Sequence, residues 1–382
     1  MNKHAIIQEV NDMKKILSLS LSIAMAILLS LSVRAEAPKP KIPLQFSPDK
    51  PQLLVTAEYM TVEQLTAPQT MALLKKYNVL VAPCIRAGKL DANLDRLFTI
   101  YEQQGITIVF WPLLPREQGL YLNKEHADDF YNYLDQIYSW AEKYNHPVQA
   151  LIVDIEPPNY QKGTDESPEA NTEGAPSFGS VLKGLSIRKF NAAKPKFMAI
   201  QDKLHQHGTI AISTALDLSV VDLVTHLNAF QDLQGGPTMS VDWDYVSFMH
   251  FGSNNYPTLS KLGFNWDDCR YLSYRIGQII YQKYGDKVAV STGQTLPGEG
   301  HGAIYESADE LAKDIEVLKA AGIKHFGIYD LQGIVESKDP ESWLKAVRET
   351  PAKKPQKKSL KAECFLRNLE AASFLLEMFR LI

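Results

Sequence analysis

The sequence Ala150-Leu-Ile-Val-Asp-Ile-Glu-Pro-Pro158 is an apolar run that ends in two carboxylates and a proline stop. In a strand, successive side chains point to opposite faces. Leu151, Val153 and Ile155 therefore share one face, and Ile152, Asp154 and Glu156 share the other. Pro157 has no N–H and cannot continue a ladder, so Glu156 stands at the strand's exit. Two carboxylates on one buried face repel each other, and burial opposes the charged form, so their pKa values must move apart. Two readings are open. Either the pair performs acid/base chemistry, or the strand simply ends in solvent or against an arginine.

Outward from this run, seven further apolar, β-branched runs occupy residues 53–59, 79–85, 107–114, 209–216, 245–251, 287–292 and 325–330. Amphipathic stretches lie between them, at 62–76, 126–144, 182–205, 269–284 and 308–321. Gly105, Gly208, Gly285 and Gly322 each close a helical pattern just before the next strand, as helix C-termini commonly do. Strands separated by helix-sized segments predict a parallel sheet. Eight of them in about 300 residues predict an α/β fold of the (β/α)8 TIM-barrel type, a single domain over residues 51–350. The rival is an open doubly wound sheet. Its dinucleotide-binding form is disfavoured, because no G-x-G-x-x-G follows the first strand. Two connections are long. Residues 157–184 follow strand four and read as a wall of a substrate cleft or as a surface loop. Residues 217–242 follow strand five, contain Gly235-Gly-Pro237 and predict a short helix.

The flanks read differently. Met13-Lys-Lys15, an apolar run from Ile16 to about Val33 and then Ala35-Glu-Ala37 resemble a secretory signal peptide over residues 1–35, with Met13 as a possible true start. No cysteine follows the run to take a lipid. An uncleaved run would instead approach membrane-spanning length. The expected location is therefore exported, periplasmic or secreted, with membrane contact only if the leader is retained. Residues 36–50 are rich in Pro and Lys and read as a linker. Residues 351–382 read as a basic linker and a short amphipathic helix from 365, which could dock on the barrel, touch a partner or hang as an appendage. The appendage is the expectation.

A net charge of −4 over 382 residues provides no electrostatic footprint for nucleic acid. Three scattered cysteines, Cys84, Cys269 and Cys364, make neither a disulfide framework nor a metal cluster. His250, His301 and His325 lack metal-ligand spacing, and His325 begins a strand and so lies at the opposite end of a barrel from the other two. No cofactor motif and no G-x-S-x-G nucleophile occurs. No metal and no cofactor is expected.

In (β/α)8 enzymes the chemistry sits at the C-terminal ends of the strands. Those ends here hold Glu58, Tyr59, Arg86, Trp111, Arg116, Tyr121, Asp154, Glu156 and Asp217. The later strands add Met249-His-Phe-Gly252, Asn254, Asn255, Tyr256, Gln294, Tyr329, Asp330 and Gln332, with Glu299 and His301 in the loop after strand seven. Aromatic rings stack on sugar faces, while amides and carboxylates bind hydroxyls. The mixture predicts a carbohydrate cleft with Trp111, Tyr329, Asn254, Gln294, Met249, Phe251 and Tyr59 as candidate substrate-binding residues. Glycosidases usually set two carboxylates on either side of the scissile bond. Asp154 and Glu156 flank it from the same side, and Ser291-Thr-Gly-Gln294 at strand seven holds no carboxylate. Substrate assistance, in which an N-acetyl group of the sugar attacks its own anomeric carbon, needs one protein acid only. Glu156 would then be the acid and Asp154 its partner.

Asp154-Ile-Glu156 at the end of strand four resembles the terminal D-x-E of the glycoside hydrolase family 18 signature, D-x-x-D-x-D-x-E. Met249-His-Phe251 is similar in position to that family's M-x-Y. The resemblance implies a (β/α)8 chitinase or endo-β-N-acetylglucosaminidase, with Glu156 as general acid and Asp154 orienting an acetamide. Gln149 and Ile152 stand where the signature's first two aspartates belong, Phe251 replaces the tyrosine, and Gly252 replaces the aspartate after it. Two alternatives follow from these departures: a non-catalytic glycan-binding barrel, or a glycosidase that pairs Glu156 with a carboxylate from another strand, such as Asp330 or Glu58.

Overall fold

The computed structural model describes residues 51–158, 184–295 and 304–381. The expected leader and linker, most of the connection after strand four, and Glu299 and His301 lie outside the described residues.

Eight parallel strands appear where the apolar runs predict them: β1 (Leu53–Ala57), β2 (Leu80–Arg86), β3 (Trp111–Leu113), β4 (Ala150–Val153), β5 (Ile210–Leu216), β6 (Tyr245–Met249), β7 (Val288–Gly293) and β8 (His325–Tyr329). Their order is β3-β2-β1-β8-β7-β6-β5-β4. The two end strands meet just before the β3 ladder begins. Phe110 N–H donates to Ala150 O at 2.9 Å, and Ile152 N–H donates to Phe110 O at 2.7 Å. The sheet therefore closes into a (β/α)8 barrel, which leaves no open edge and removes the doubly wound alternative.

Helices α1 (Val62–Leu65), α2 (Pro68–Lys76), α3 (Ala92–Gln104), α4 (Ala127–Tyr144) and α5 (Ile187–Gln206) cover the first half of the barrel. The expected single helix over 62–76 is broken at Pro68, which lacks the N–H that a continuing helix would use and instead starts α2. The connection after β5 carries α6 (Val220–Thr225) and α7 (Ala229–Leu233), so it contains helix as expected. Then come α8 (Gly252–Ser260), α9 (Trp266–Tyr284), α10 (Ala308–Ala320), α11 (Leu331–Glu336) and α12 (Pro340–Glu349). Helix α9 starts three residues before the expected position because Asn265 and Asp268 form a capping box.

The strand alternation sorts side chains into two layers. Leu151, Val153 and Ile155 join the large apolar layer between strands and helices. Ile152 joins a second cluster with Leu80, Trp111, Ile212 and Tyr245. Asp154 and Glu156 follow Ile152 on that inner side and line one cavity with it.

The tail corrects an expectation. It forms a 21-residue helix, α13 (Leu360–Arg380), capped by Ser359, and it docks on α6, α7 and α9. Ala362 and Leu366 are buried. Near its end Arg380 inserts against Asp232 of α7, with Nε donating to Oδ2 at 2.7 Å; the two side chains are 1% and 0% exposed. A buried charge needs a partner, and this pair explains why a cationic residue sits inside.

Candidate active site

The barrel mouth opens into a cavity of about 290 Å³. Asp154 and Glu156 lie on its wall, as do Trp111 and Tyr329. Met249, Phe251, Asn254 and Gln294 also line it. Tyr59 does not. Residues 54, 56 and 58 share the inward face of β1 and its extension, and Tyr59 is one step out of phase; its ring lies 5.8 Å from the Arg86 guanidinium. The same alternation puts Glu58 on the wall, so period two applied to β1 selects Glu58 over Tyr59.

Asp154 is 4% exposed. Trp111 Nε1–H donates to its Oδ2 at 2.9 Å, and Thr214 Oγ1 donates to its Oδ1 at 2.7 Å. Thr214 also accepts from Ile155 N–H at 2.9 Å, which ties β5 to the exit of β4. Burial pushes the Asp154 carboxyl up, against these two donors, and the Glu58 charge adds to the push. Glu156 is half-buried. Burial again raises its carboxyl, well above the ordinary value, reinforced by Asp154 and then Glu58. Donors that favour the charged form serve Asp154. These donors oppose the rise at Asp154, while at Glu156 burial and the neighbouring charges favour the acid form.

The backbone of Glu156 is clamped. Its N–H donates to Leu122 O at 3.3 Å, and Leu122 N–H donates to Asp154 O at 2.9 Å. From the other side, Gly235 crosses it at φ +117°. A Cβ on Gly235 would lie 2.7 Å from the carbonyl of Glu156, so no other residue fits there. Lys124 N–H holds Gly235 O at 2.7 Å. The Lys124 ammonium donates to Asp232 O at 2.7 Å and pairs with the Asp232 carboxylate, which also takes Arg380. A chain of contacts thus runs from α13 through Asp232, Lys124 and Gly235 to Glu156.

Glu58 accepts from Tyr329 OH at 2.7 Å and from Arg86 Nη2 at 3.2 Å, and its side chain is 6% exposed. The mouth therefore brings a third carboxylate into the same cavity, on a strand well separated from β4 around the barrel. Asp330, the other candidate second carboxylate, is not on the wall. It caps α11, accepting from Gly333 N–H at 3.1 Å, and burial pushes it up to about 7.

The remaining candidates divide. Tyr121 lines the cavity, and burial followed by the charge of Glu156 raises its phenol. His250 turns outward, with Nε2 2.8 Å from Ser273 Oγ and Nδ1 3.2 Å from Asp217. Asn255 donates to Asp217, Tyr256 stacks on Trp266, and Gln332 donates to Glu336. His325 accepts the Gln52 N–H at the base of β8. Among the described residues no cluster of histidine, cysteine and carboxylate could hold a metal ion. The three cysteines are free thiols.

No protein-family model matches this sequence, and no curated protein sequence matches it. Three solved structures with related coordinates illustrate what the chain is similar to. One is the glycoside hydrolase domain of PgaB (BpsB) from Bordetella bronchiseptica, 12% identical, covering 80% of this chain and 99% of that chain at a TM-score of 0.47. Another is a tri-modular endo-β-1,4-glucanase from Bacillus licheniformis, 8% identical, covering 80% of this chain and 60% of that chain at 0.48. A third is an L-ribulose 3-epimerase, 11% identical, covering 85% of this chain and 98% of that chain at 0.41.

Proposed function

We propose that this chain is an exported glycoside hydrolase that cleaves a glycan, with Glu156 as the general acid and Asp154 as its anionic partner. The observation that carries the reading is the placing of two carboxyls on one wall of the cavity, with Trp111 and Thr214 donating to Asp154. The two donors favour the charged form of Asp154, and burial beside Asp154 and Glu58 favours the acid form of Glu156. A carboxyl whose acid form is favoured inside a cleft is what protonation of a glycosidic oxygen requires. Trp111, Tyr329 and Phe251 supply apolar faces for sugar rings, and Asn254 and Gln294 supply amides for hydroxyls. In the family-18-like form of this reading, an N-acetylhexosamine assists from its own acetamide, which Asp154 orients. Phe251 has no hydroxyl to hold that acetamide, so Asp154 carries the task without the second donor.

A second reading has its own observation. Glu58 shares the cavity, and Arg86 and Tyr329 hold its carboxylate in place. In that reading Glu58 is the opposed carboxylate, acting as nucleophile or base, and no substrate acetamide is needed. Residues 36–382 should be incubated with a panel of glycans, with and without N-acetylhexosamine, and reducing ends measured. Wild type should release reducing ends, and Glu156→Gln should not. Glu58→Gln should leave turnover of N-acetylated substrates within a few-fold under the first reading, and abolish all turnover under the second. Full activity in Glu156→Gln would remove both.

A further inference from the structure

The cavity does not end at the carboxylates. It continues down the barrel axis past Leu54, Ile152, Ile212 and Ala289 to a floor of Tyr245 and His325, whose rings meet edge to face at 5.7 Å. Barrels of this type normally fill that space with layers of bulky branched side chains. Here β6, β7 and β8 turn small residues inward: Ser247, Ala289, Ser291 and Gly327. A Cβ on Gly327 would lie 2.6 Å from Ser291 Oγ and would have to displace that hydroxyl. A second sign of the void is the inverted burial of two strands. In β1 and β7 the residues facing the helices are sealed, with Val55 and Val290 at 0% exposure, while the axis-facing Leu54, Thr56, Ala289 and Ser291 remain partly accessible.

The chemistry of the wall selects the occupant. Its hydroxyls already have partners. Thr56 donates to Ile328 O, Thr214 donates to Asp154, and Ser247 and Ser291 bond each other at 2.8 Å. Along these side walls the lower chamber therefore offers mainly apolar contact, above the polar rings of Tyr245 and His325 at its floor. At its rim Gln294, 1% exposed, has a side-chain carbonyl oxygen without a hydrogen-bond partner among the described residues. A buried acceptor left unpaired is costly, and an N–H from a ligand would satisfy it.

We infer that the axial chamber is a subsite for an aliphatic acylamino substituent longer than acetyl on the sugar unit held at Asp154 and Glu156. The amide N–H meets the rim, and the hydrocarbon chain runs down between Leu54, Ile152, Ile212 and Ala289. An acetyl group would stop near the rim and leave the lower chamber empty. The inference rests on the carbohydrate reading of the mouth for the sugar, and on the chamber alone for the chain.

Binding can be measured by calorimetry with N-acetyl-, N-butyryl- and N-hexanoylglucosamine, and by ligand-observed NMR with acetamide and hexanamide, which carry no sugar. Each buried methylene should tighten binding about fourfold, so N-butyryl should bind about 15-fold more tightly than N-acetyl. Hexanamide should bind, and acetamide should not. Ala289→Leu, checked for folding by its melting curve, should remove the chain-length preference; Ala289→Val should reduce it if the leucine variant does not fold. Equal binding of all three sugars with no binding of hexanamide overturns the inference and leaves the function intact. Hexanamide binding without any glycoside turnover has the reverse meaning. A chain-length preference that persists unchanged in folded Ala289→Leu or Ala289→Val also overturns it.

Discussion

At the scale of single residues, two carboxyls on one wall of the cavity feel burial and each other's charge. Glu156 has a carboxyl raised by burial, Asp154 and Glu58. A group whose folded pKa lies above its unfolded value stabilises the fold below the unfolded pKa, near 4.5, and loses that contribution as pH rises through the folded pKa. Glu156→Gln carries no such dependence at this position. The variant should therefore melt higher than wild type, by a few degrees at pH 8, with the difference shrinking toward pH 4. Melting curves at pH 4, 6 and 8 check this; a constant or inverted difference contradicts the assignment. Trp111 bears on the partner carboxyl. Its indole N–H favours the charged form of Asp154, so Trp111→Phe should raise the Asp154 pKa further. The acid limb of the pH–activity profile should move to higher pH, with the basic limb, set by Glu156, nearly in place. Alternation along residues 150–156 was sufficient to put Asp154 and Glu156 on one face. The same rule applied to residues 54–58 selects Glu58, but the aromatic character of Tyr59 outweighed its phase. The backbone clamp on Glu156 comes from Leu122 and Gly235, remote from it in sequence, and no local pattern reports it.

At the scale of elements, the tail helix matters more than its sequence indicates. A basic linker followed by a short apolar pattern reads as an appendage, because helical periodicity shows that a face exists and not what it meets. Ser359 starts α13 at Leu360, and its far end delivers Arg380 to Asp232. Asp232 in turn holds Lys124, whose backbone holds the Gly235 segment over Glu156. Breaking a buried ion pair on one side costs about 3–5 kcal/mol. Arg380→Met should lower the denaturant midpoint accordingly and reduce kcat more than KM, since it loosens the clamp on Glu156 without touching the cavity wall. Ending the chain at residue 350 should do the same or worse. A variant with unchanged stability and unchanged kcat would show that the contact chain carries no load. The helix at 62–76 shows the converse case. There a local signal, Pro68, was visible in the sequence and decided the break.

At the scale of the molecule, the fold was legible because it repeats. Eight apolar runs with helix-length spacers and glycine stops translate into eight strands in order around a closed barrel. The interior was not legible in the same way. Periodicity assigns a residue to the axis, but whether the axis is filled depends on summed side-chain volume across strands far apart in sequence. Ser247, Ala289, Ser291 and Gly327 are unremarkable one at a time; side by side on β6, β7 and β8 they leave a chamber beneath the carboxylates. The barrel thereby presents a carboxyl pair at the top of a deep apolar well, with amides and aromatic rings around the rim.

If Glu156 donates the proton to the leaving oxygen, as proposed, the rate must depend on the leaving group. Wild type and Glu156→Gln should be compared on an unactivated oligosaccharide and on the matching 2,4-dinitrophenyl glycoside, whose leaving group needs no proton. Loss of a general acid costs about 10²–10⁴-fold. A fall of that size is expected on the oligosaccharide, and a fall of only a few-fold in the first step on the dinitrophenyl substrate. Equal falls on both substrates, or none on either, would contradict it.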